Sequence, residues 1–216
     1  MTVSAVLFDF DGVVGRTMED NYAAWHGACD QMGLALEREE YFLLEGMGAR
    51  RVAEIVVERN GASETLAPRL AELKDALYLR HVREVRLYDG VDDVLDVVRR
   101  AGWKTALVTG ARRARITATA GTVLQRFDAV VTADDVTRTK PFPDPYLTGA
   151  SALRVEPDTC VVIENAPLGI DAARAAGMRC IAVASTLDPR HLAAADVVVS
   201  NLVDVIPHLE SMGAGA

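Results

Sequence analysis

The sequence predicts an α/β fold, a doubly wound parallel sheet with an inserted α-helical cap. Over residues 87–216, short segments rich in Val and Ile alternate with amphipathic helical patterns, which is typical of parallel strands with helices on both faces. Residues 16–86 carry only helical periodicity and interrupt that alternation directly after the first strand-like segment. We therefore predict a core domain of residues 1–15 and 87–216 and a helical cap domain of residues 16–86.

The first predicted strand, residues 6–8, leads into two acidic side chains. Asp9 and Asp11 stand two residues apart, a spacing at which an extended chain returns its side chains to the same face. Thr17 then stands at a helix N-cap position, with Asp20 three residues later as a near capping box. The predicted cap helices begin near residue 18, cover 39–45 and 49–59, and begin again at 63.

The remaining elements alternate as a doubly wound sheet requires. The further predicted strands cover residues 104–109, 129–132, 159–164, 179–184 and 197–199. The helices between and after them are predicted at residues 91–101, 113–124, 145–153, 167–176 and 203–209.

The composition is that of an ordinary soluble globular protein. Of 216 residues, half are hydrophobic and a quarter are charged, and 31 acidic against 23 basic side chains give a net charge of −8. No segment concentrates Lys and Arg, so nucleic-acid binding is not expected. No apolar run approaches the ~20 residues that span a bilayer, and no basic segment typical of a secretion signal precedes the first strand. We expect a monomer that binds neither nucleic acid nor membrane.

The cysteines indicate a reducing compartment. Cys29, Cys160 and Cys180 are odd in number, scattered, and embedded in apolar segments. Buried thiols of a cytoplasmic protein fit this pattern better than disulfides do.

Polar side chains follow several of the predicted strands. Because ligands of doubly wound sheets bind beyond the carboxyl ends of the strands, we expect these groups to meet at one site. They form four clusters: Asp9 with Asp11, Thr109 with Gly110, Lys140, and Glu164 with Asn165.

These groups have the chemistry of a magnesium and phosphate site. Three acidic groups in one cleft, Asp9, Asp11 and Glu164, require a cation, and Mg²⁺ binds one or two carboxylates together with phosphate oxygens. The Thr109 hydroxyl and the backbone N–H of Gly110, near a helix N-terminus, favour a phosphate oxygen. The ammonium group of Lys140, which belongs to the same site, adds positive charge for that anion.

Four motifs carry a resemblance to a known family. DFDGVV, LVTG, KPFPDPY and VIENAPLGIDAARAAG occur in this order across nearly the whole chain. The chain resembles the haloacid dehalogenase superfamily, which implies a Rossmann-like core. It is most similar to the branch of β-phosphoglucomutases and sugar-phosphate phosphatases, whose members carry a helical C1-type cap after the first motif.

The resemblance implies a role for each site residue. Asp9 resembles the nucleophile that forms an aspartyl-phosphate, and Asp11 resembles the general acid and base, so that one carboxylate is ionised while the other carries a proton. The implied Mg²⁺ ligands are Asp9, the backbone carbonyl of Asp11, Asn165 and, as ligand or close neighbour, Glu164. The implied activity is Mg²⁺-dependent hydrolysis of a small phosphorylated metabolite, a sugar phosphate.

Three positions depart from the family pattern. Asn21 replaces a histidine that takes part in the mutase cycle, which weighs against a phosphomutase. Asn165 replaces the aspartate that commonly binds the metal, so a structural role as a turn residue before Pro167 competes with metal binding. Arg16 stands where relatives usually have an acidic residue, and a hinge position competes with a substrate-facing one.

The predicted cap contains a break that matches the loop which relatives lower onto substrate. Gly46 lies in this break, and Arg50 or Arg51 could bind a sugar hydroxyl or a second anion, although both also suit a solvated helix start. Two other functions stay open: a phosphomutase, and a catalytically weak protein that binds a phosphometabolite. The intact Asp9 and Lys140 argue against the last of these.

Overall fold

The computed structural model of the protein describes residues 2–213. The strands in this range are β1 (Ala5–Phe8), β2 (Lys104–Val108), β3 (Ala129–Val131), β4 (Cys160–Glu164), β5 (Arg179–Val183) and β6 (Val197–Val199). The α-helices are α1 (Met18–Gln31), α2 (Arg38–Leu43), α3 (Ala49–Arg59), α4 (Ala67–His81), α5 (Val91–Arg100), α6 (Arg113–Ala120), α7 (Asp144–Leu153), α8 (Pro167–Ala175) and α9 (Ile206–Gly213). Short 3₁₀ helices cover Glu64–Leu66, Gly121–Arg126, Ala133–Asp135, Pro157–Thr159, Pro189–Leu192 and Leu202–Val205.

The six strands form one parallel sheet in the order β3-β2-β1-β4-β5-β6. Strand β1 lies at the centre, and Phe8 pairs with Leu107 of β2 on one side and Ile163 of β4 on the other. The strand order reverses at β1, so the carboxyl ends of β1, β2 and β4 meet at the topological switch point where ligands bind in such sheets.

The two faces of the sheet contact separate groups of buried apolar side chains. Along β1, Val6 and Phe8 belong to one hydrophobic cluster, while Ala5 and Leu7 belong to the other. This alternation follows from the two-residue period of a strand. Both faces are therefore covered, and the predicted doubly wound architecture is confirmed.

Helices α1 to α4 form a third hydrophobic cluster, which includes Trp25, Phe42 and Leu70. The chain enters and leaves this helical segment at one place, because the N–H of Arg16 donates to the carbonyl of Arg86 at 2.8 Å, and Gly15 bridges to Leu87. The helices thus lie where the insertion was predicted, whereas the division into two domains at residues 16 and 86 stays a prediction.

Two local expectations differ from the structure. Thr17 precedes α1, but its hydroxyl makes no capping hydrogen bond because it donates to Asp11 instead. The predicted helix of residues 113–124 ends at Ala120, because Gly121 adopts a φ of +46° and a 3₁₀ helix follows.

The three cysteines lie in the interior of the protein, as their apolar sequence context predicts. Cys29, Cys160 and Cys180 are free and buried. None of the helices within residues 2–213 combines the length and the apolar character needed to cross a membrane.

Candidate active site

The predicted site residues follow three neighbouring strands. Asp9 comes directly after β1 and donates its N–H to the carbonyl of Ile163 at 2.9 Å, while Thr109 comes directly after β2. Glu164 is the last residue of β4. All three side chains are buried, so the parallel sheet brings groups that are far apart in sequence into one shielded place.

Lys140 joins two of the acidic side chains. Its Nζ lies 2.5 Å from Oδ1 of Asp9 and 2.6 Å from Oε1 of Glu164, and the lysine is only 1% exposed. The ring of Tyr146 lies 4.9 Å from the same Nζ, and its hydroxyl donates to Oε1 of Glu164 at 2.7 Å. Sequence reasoning missed Tyr146, for which the only signal was its place in the KPFPDPY motif.

Both carboxylate oxygens of Glu164 are occupied by donors. Lys140 and Tyr146 contact Oε1, and the backbone N–H groups of Asn165 and Ala166 donate to Oε2 at 2.9 and 3.1 Å. A Cβ at Gly169 of α8 would lie 1.7 Å from Oε1, so only glycine leaves space for this carboxylate. The arrangement favours Glu164 as the partner of Lys140 over the direct metal ligand that the resemblance allows.

Asp11 is held by an arginine that sequence reasoning missed. Arg115 of α6 donates from Nη2 to Oδ2 of Asp11 at 2.5 Å and from Nη1 to Oδ1 at 3.2 Å. Thr17 and Asn21 also donate to Oδ1, at 2.5 and 3.0 Å. The Thr109 hydroxyl lies 3.5 Å from Oδ2 of Asp11, and it accepts a hydrogen bond from the backbone N–H two residues further along the chain. It therefore already has one protein partner as a donor and another as an acceptor.

The two aspartates have opposite pKa shifts. Burial raises the pKa of Asp9 to about 8, although Lys140 acts in the opposite direction. Burial would also raise the pKa of Asp11, but the Arg115 guanidinium and the Thr17 hydroxyl outweigh it and lower that pKa. These directions belong to the site without a cation beside Asp9, and Arg115 stabilises the ionised form of Asp11 there. The assignment of the proton to Asp11 and of the attacking charge to Asp9 stays a prediction.

The network extends from Asp11 into the helical segment. Asn21 accepts at its Oδ1 from Nζ of Lys74 at 2.9 Å and from Nη1 of Arg115 at 3.2 Å. Lys74 of α4 also lies over the ring of Trp25, at 5.6 Å, and burial and then Arg115 lower its pKa to about 8. Lys74 and Arg115 could have been recognised from the sequence as charged residues at buried positions of helices, because such residues are uncommon without a partner.

Three predicted metal ligands retain oxygens without a donor. Within residues 2–213, no hydrogen-bond donor contacts Oδ2 of Asp9, the backbone carbonyl of Asp11 or Oδ1 of Asn165. A Cβ at Gly12, whose φ is +93°, would lie 2.1 Å from the Asn165 amide, so glycine lets Asn165 reach this turn. Such oxygens are the ligands that Mg²⁺ prefers, and the set fits that ion.

Carboxylates and imidazoles alone do not form a metal cluster here. The structure between residues 2 and 213 contains no group of three or more His, Cys, Asp or Glu side chains placed to hold a metal ion. A site built from one carboxylate, one amide and one backbone carbonyl is compatible with that finding.

A small cavity lies over Asp9 and Asp11. Its volume is about 30 Å³, roughly the share of one water molecule and far below the several hundred Å³ of a ligand pocket. The loop of residues 44–48, between α2 and α3, covers it, and the N–H of Gly48 donates to Thr139 at 3.2 Å. A ligand larger than water does not fit a cavity of this size, so we expect the loop to move when substrate binds. The lining side chains include Asn21, Trp25, Tyr41, Glu45, Lys74 and Arg115.

The structure separates the predicted substrate contacts into two sets. Asn21, Gly46 and Gly110 line the cavity. Arg50 and Arg51 do not: their side chains are 78% and 55% exposed and pair with Glu54.

Arg16 also lies away from the cavity, against residues that follow the helical segment. It pairs with Asp89 at 2.7 Å and stacks on Tyr88. Its contacts support the hinge position, and the structure gives no support to the substrate-binding role predicted for Arg16, Arg50 or Arg51.

Gly110 permits the close approach of the 44–48 loop. A Cβ at this position would lie 2.7 Å from the carbonyl oxygen of Gly46 and 2.9 Å from that of Met47. We expect Gly110→Ala to displace the loop and to lower kcat/KM by up to about 10²-fold, because misplacement of about 1 Å has such effects. Steady-state kinetics would measure this.

Gly27→Ala is the matched control for Gly110→Ala. A Cβ at Gly27, on α1, would make only an ordinary contact of 3.5 Å with Leu77. Equal kcat/KM values for Gly110→Ala, Gly27→Ala and the unaltered protein would show that close approach of the loop to Gly110 is not required.

Comparison with known proteins finds related phosphatases and solved structures of the same fold. Validoxylamine A 7′-phosphate phosphatase of Streptomyces hygroscopicus subsp. limoneus is 32% identical over 208 residues, covering 94% of this chain and 96% of that protein. Fructose-1-phosphate phosphatase YqaB of Escherichia coli strain K12 is 33% identical over 189 residues, covering 83% of this chain and 96% of that protein. The solved β-phosphoglucomutase of Clostridium difficile shares the fold, with a TM-score of 0.86, 24% identity, and coverage of 99% of this chain and 98% of that chain.

The family itself follows from the extent of the match. The sequence model described as haloacid dehalogenase-like hydrolase matches residues 6–183, which contain every predicted site residue. The chain belongs to the haloacid dehalogenase-like hydrolase family.

Proposed function

We propose that this protein is a Mg²⁺-dependent phosphatase that hydrolyses a small phosphorylated metabolite, a sugar phosphate, through an aspartyl-phosphate on Asp9. The observation that carries the proposal is the set of contacts made by the two carboxylate oxygens of Asp9. One of its oxygens is fixed by Lys140, the other has no donor within residues 2–213, and Asp11 stands two residues away. The names of the two related phosphatases support the same reaction.

The reaction has two steps, and each uses both aspartates. In the first, Oδ2 of Asp9 attacks phosphorus, the bond to the leaving oxygen breaks, and Asp11 gives that oxygen a proton. In the second, water attacks phosphorus, its proton passes to Asp11, and the bond to Asp9 breaks. Lys140 holds Asp9 in the attacking orientation, and Glu164 in turn holds Lys140.

Asp9, the Asp11 carbonyl and Asn165 would hold the magnesium ion. When bound, the ion supplies positive charge that neutralises the phosphoryl oxygens and the neighbouring carboxylates. Glu164 contributes through Lys140, because its own oxygens already accept from four donors.

Helices α1 to α4 act as the cap in this proposal. The cavity of about 30 Å³ corresponds to a closed arrangement, in which the 44–48 loop excludes bulk water from Asp9. The cavity wall combines the aromatic rings of Trp25 and Tyr41 with the polar groups of Glu45 and Lys74. Rings for apolar sugar faces and hydrogen-bonding groups for hydroxyls suit a phosphorylated sugar or polyol.

A screen of phosphorylated sugars and polyols for released phosphate tests this function. We expect Mg²⁺-dependent release from at least one of them and, with β-glucose 1-phosphate and a trace of the bisphosphate, little glucose 6-phosphate. Isomerisation without net phosphate release would instead identify a phosphomutase. Binding of a phosphometabolite without any turnover would identify a binding protein.

Substitution of Asn165 tests whether this residue is a Mg²⁺ ligand. Asn165→Asp adds one charge at a side chain that is 1% exposed. We expect tighter Mg²⁺ binding with turnover that is similar or lower, since such a charge is worth a few kcal/mol at an effective dielectric of ~20. Calorimetry would measure the Mg²⁺ affinity directly, and the Mg²⁺ concentration that gives half-maximal activity would measure it through turnover.

Asp188→Asn is a control for charge changes near this edge of the sheet. Asp188 caps a 3₁₀ helix after β5 and was not predicted as a ligand. An unchanged Mg²⁺ affinity in Asn165→Asp would favour the turn role of Asn165.

A further inference from the structure

The Arg115–Asp11 pair is buried at the edge of the cavity. Arg115 is 5% exposed and Asp11 is 7% exposed, and the guanidinium makes two hydrogen bonds to the two carboxylate oxygens. A planar guanidinium that binds a carboxylate in this way fixes its orientation as well as its charge. The ring of Tyr78 lies 4.8 Å from the guanidinium carbon and supports it from α4.

The other donors do not fix Asp11 in the same way. Thr17 and Asn21 both donate to Oδ1, whereas Oδ2 receives its short hydrogen bond, 2.5 Å, from Arg115. The hydroxyl of Thr109 is 3.5 Å away from Oδ2. Loss of Arg115 would thus leave Oδ2 with only the long contact from Thr109, and the orientation of the carboxylate would be less firmly fixed.

We propose that Arg115 is a positioning residue that orients the Asp11 carboxylate to take the proton of the water that hydrolyses the aspartyl-phosphate. This inference rests on the proposed function. In the step concerned, the water oxygen forms a bond to phosphorus, the bond between phosphorus and Asp9 breaks, and the water proton passes to an Asp11 oxygen. Asp9 regains its carboxylate, and phosphate is released.

The proposal predicts a specific kinetic signature. With p-nitrophenyl phosphate, the leaving group needs no proton, so the first step does not depend on the orientation of Asp11. The second step does. Arg115→Met should therefore lower kcat by about 10²-fold, the usual scale of general base catalysis. KM should fall or stay unchanged, and the fraction of enzyme trapped as a hydroxylamine-sensitive phosphoenzyme should rise above that of the unaltered protein.

Two further variants keep the test decisive. Arg115→Lys retains the charge without the planar fork, and should lose less activity than Arg115→Met while still accumulating phosphoenzyme; it carries the test if Arg115→Met does not fold. Arg113→Met is the control, because it removes another arginine from the same helix. The Arg113 side chain is 50% exposed and pairs with Asp135. This variant should match the unaltered protein in kcat and in trapped phosphoenzyme.

The outcomes separate this proposal from the function on which it rests. If the unaltered protein releases no phosphate from any phosphomonoester, the proposed function fails. If it is active and folded Arg115 variants lose kcat without accumulating phosphoenzyme, Arg115 does not act on the second step. A rise in KM with kcat retained would also overturn the proposal and place Arg115 in substrate binding.

Discussion

Replacing Asp9 by asparagine should lower kcat by on the order of 10⁴-fold or more, the scale seen when a nucleophile is removed. The substitution keeps the shape of the side chain and removes the attacking charge. An amide oxygen can still accept the hydrogen bond from Lys140, now 2.5 Å long. Folding should therefore be preserved, and Asp9→Asn should still bind substrate. Steady-state kinetics with the best substrate of the screen, together with thermal unfolding, would measure both.

Asp89→Asn is the matched control for this substitution. Asp89 is 98% exposed and pairs with Arg16 at the base of the helical segment, so its amide variant should retain full activity. Near-normal turnover by Asp9→Asn would contradict the aspartyl-phosphate mechanism, because turnover would then not depend on attack by Asp9 on phosphorus.

Replacing Lys140 by methionine should abolish activity and also destabilise the protein. Lys140 is 1% exposed and lies between Asp9 and Glu164, so its loss leaves two buried carboxylates facing each other. Breaking a buried ion pair by removing one partner costs about 3–5 kcal/mol of unfolding free energy. Denaturant unfolding would measure this, and phosphatase assays would measure the loss of activity.

A second substitution separates the two effects of Lys140. In the Lys140→Met background, Glu164→Gln removes one of the uncompensated charges, and its amide oxygen can still accept from the backbone N–H groups of Asn165 and Ala166. Stability should recover in part while activity stays absent. Lys104→Met is the control, because Lys104 is exposed and its ammonium group donates to the backbone carbonyl of Leu153 and not to a carboxylate. Equal stability of Lys140→Met and Lys104→Met would contradict the buried-pair interpretation.

The sequence anticipated the elements of the fold closely. Short apolar segments rich in Val and Ile located every strand of the sheet, and helical periodicity located the helices, with β6 at Val197–Val199 and α3 at Ala49–Arg59 as predicted. These patterns are local consequences of which side chains must be buried, so they can be read without knowing the partner surface. The early end of α6 depended on the conformation of Gly121, which helical periodicity does not report.

The core of the site was also accessible from sequence, because most of its residues stand at strand ends. Asp9, Thr109 and Glu164 follow from the rule that ligands bind at the carboxyl ends of parallel strands, whereas Lys140 was found through its KPFPDPY motif. The prediction for the cap residues was weaker. Arg50 and Arg51 stand beside the loop in sequence, but on α3 they project to solvent and pair with Glu54.

By itself, the sequence determined the doubly wound sheet, the position of the helical insertion, and which residues end the central strands, since each of these depends on local patterns of apolar and polar side chains. Only the tertiary structure decided how the charges of the site are paired. Glu164 contacts Lys140, and Asp11 contacts Arg115, although 104 residues separate the members of the second pair. Such pairing depends on where helix α6 and the segment before α7 place their buried cations in space, and the spacing of residues along the chain does not report those distances.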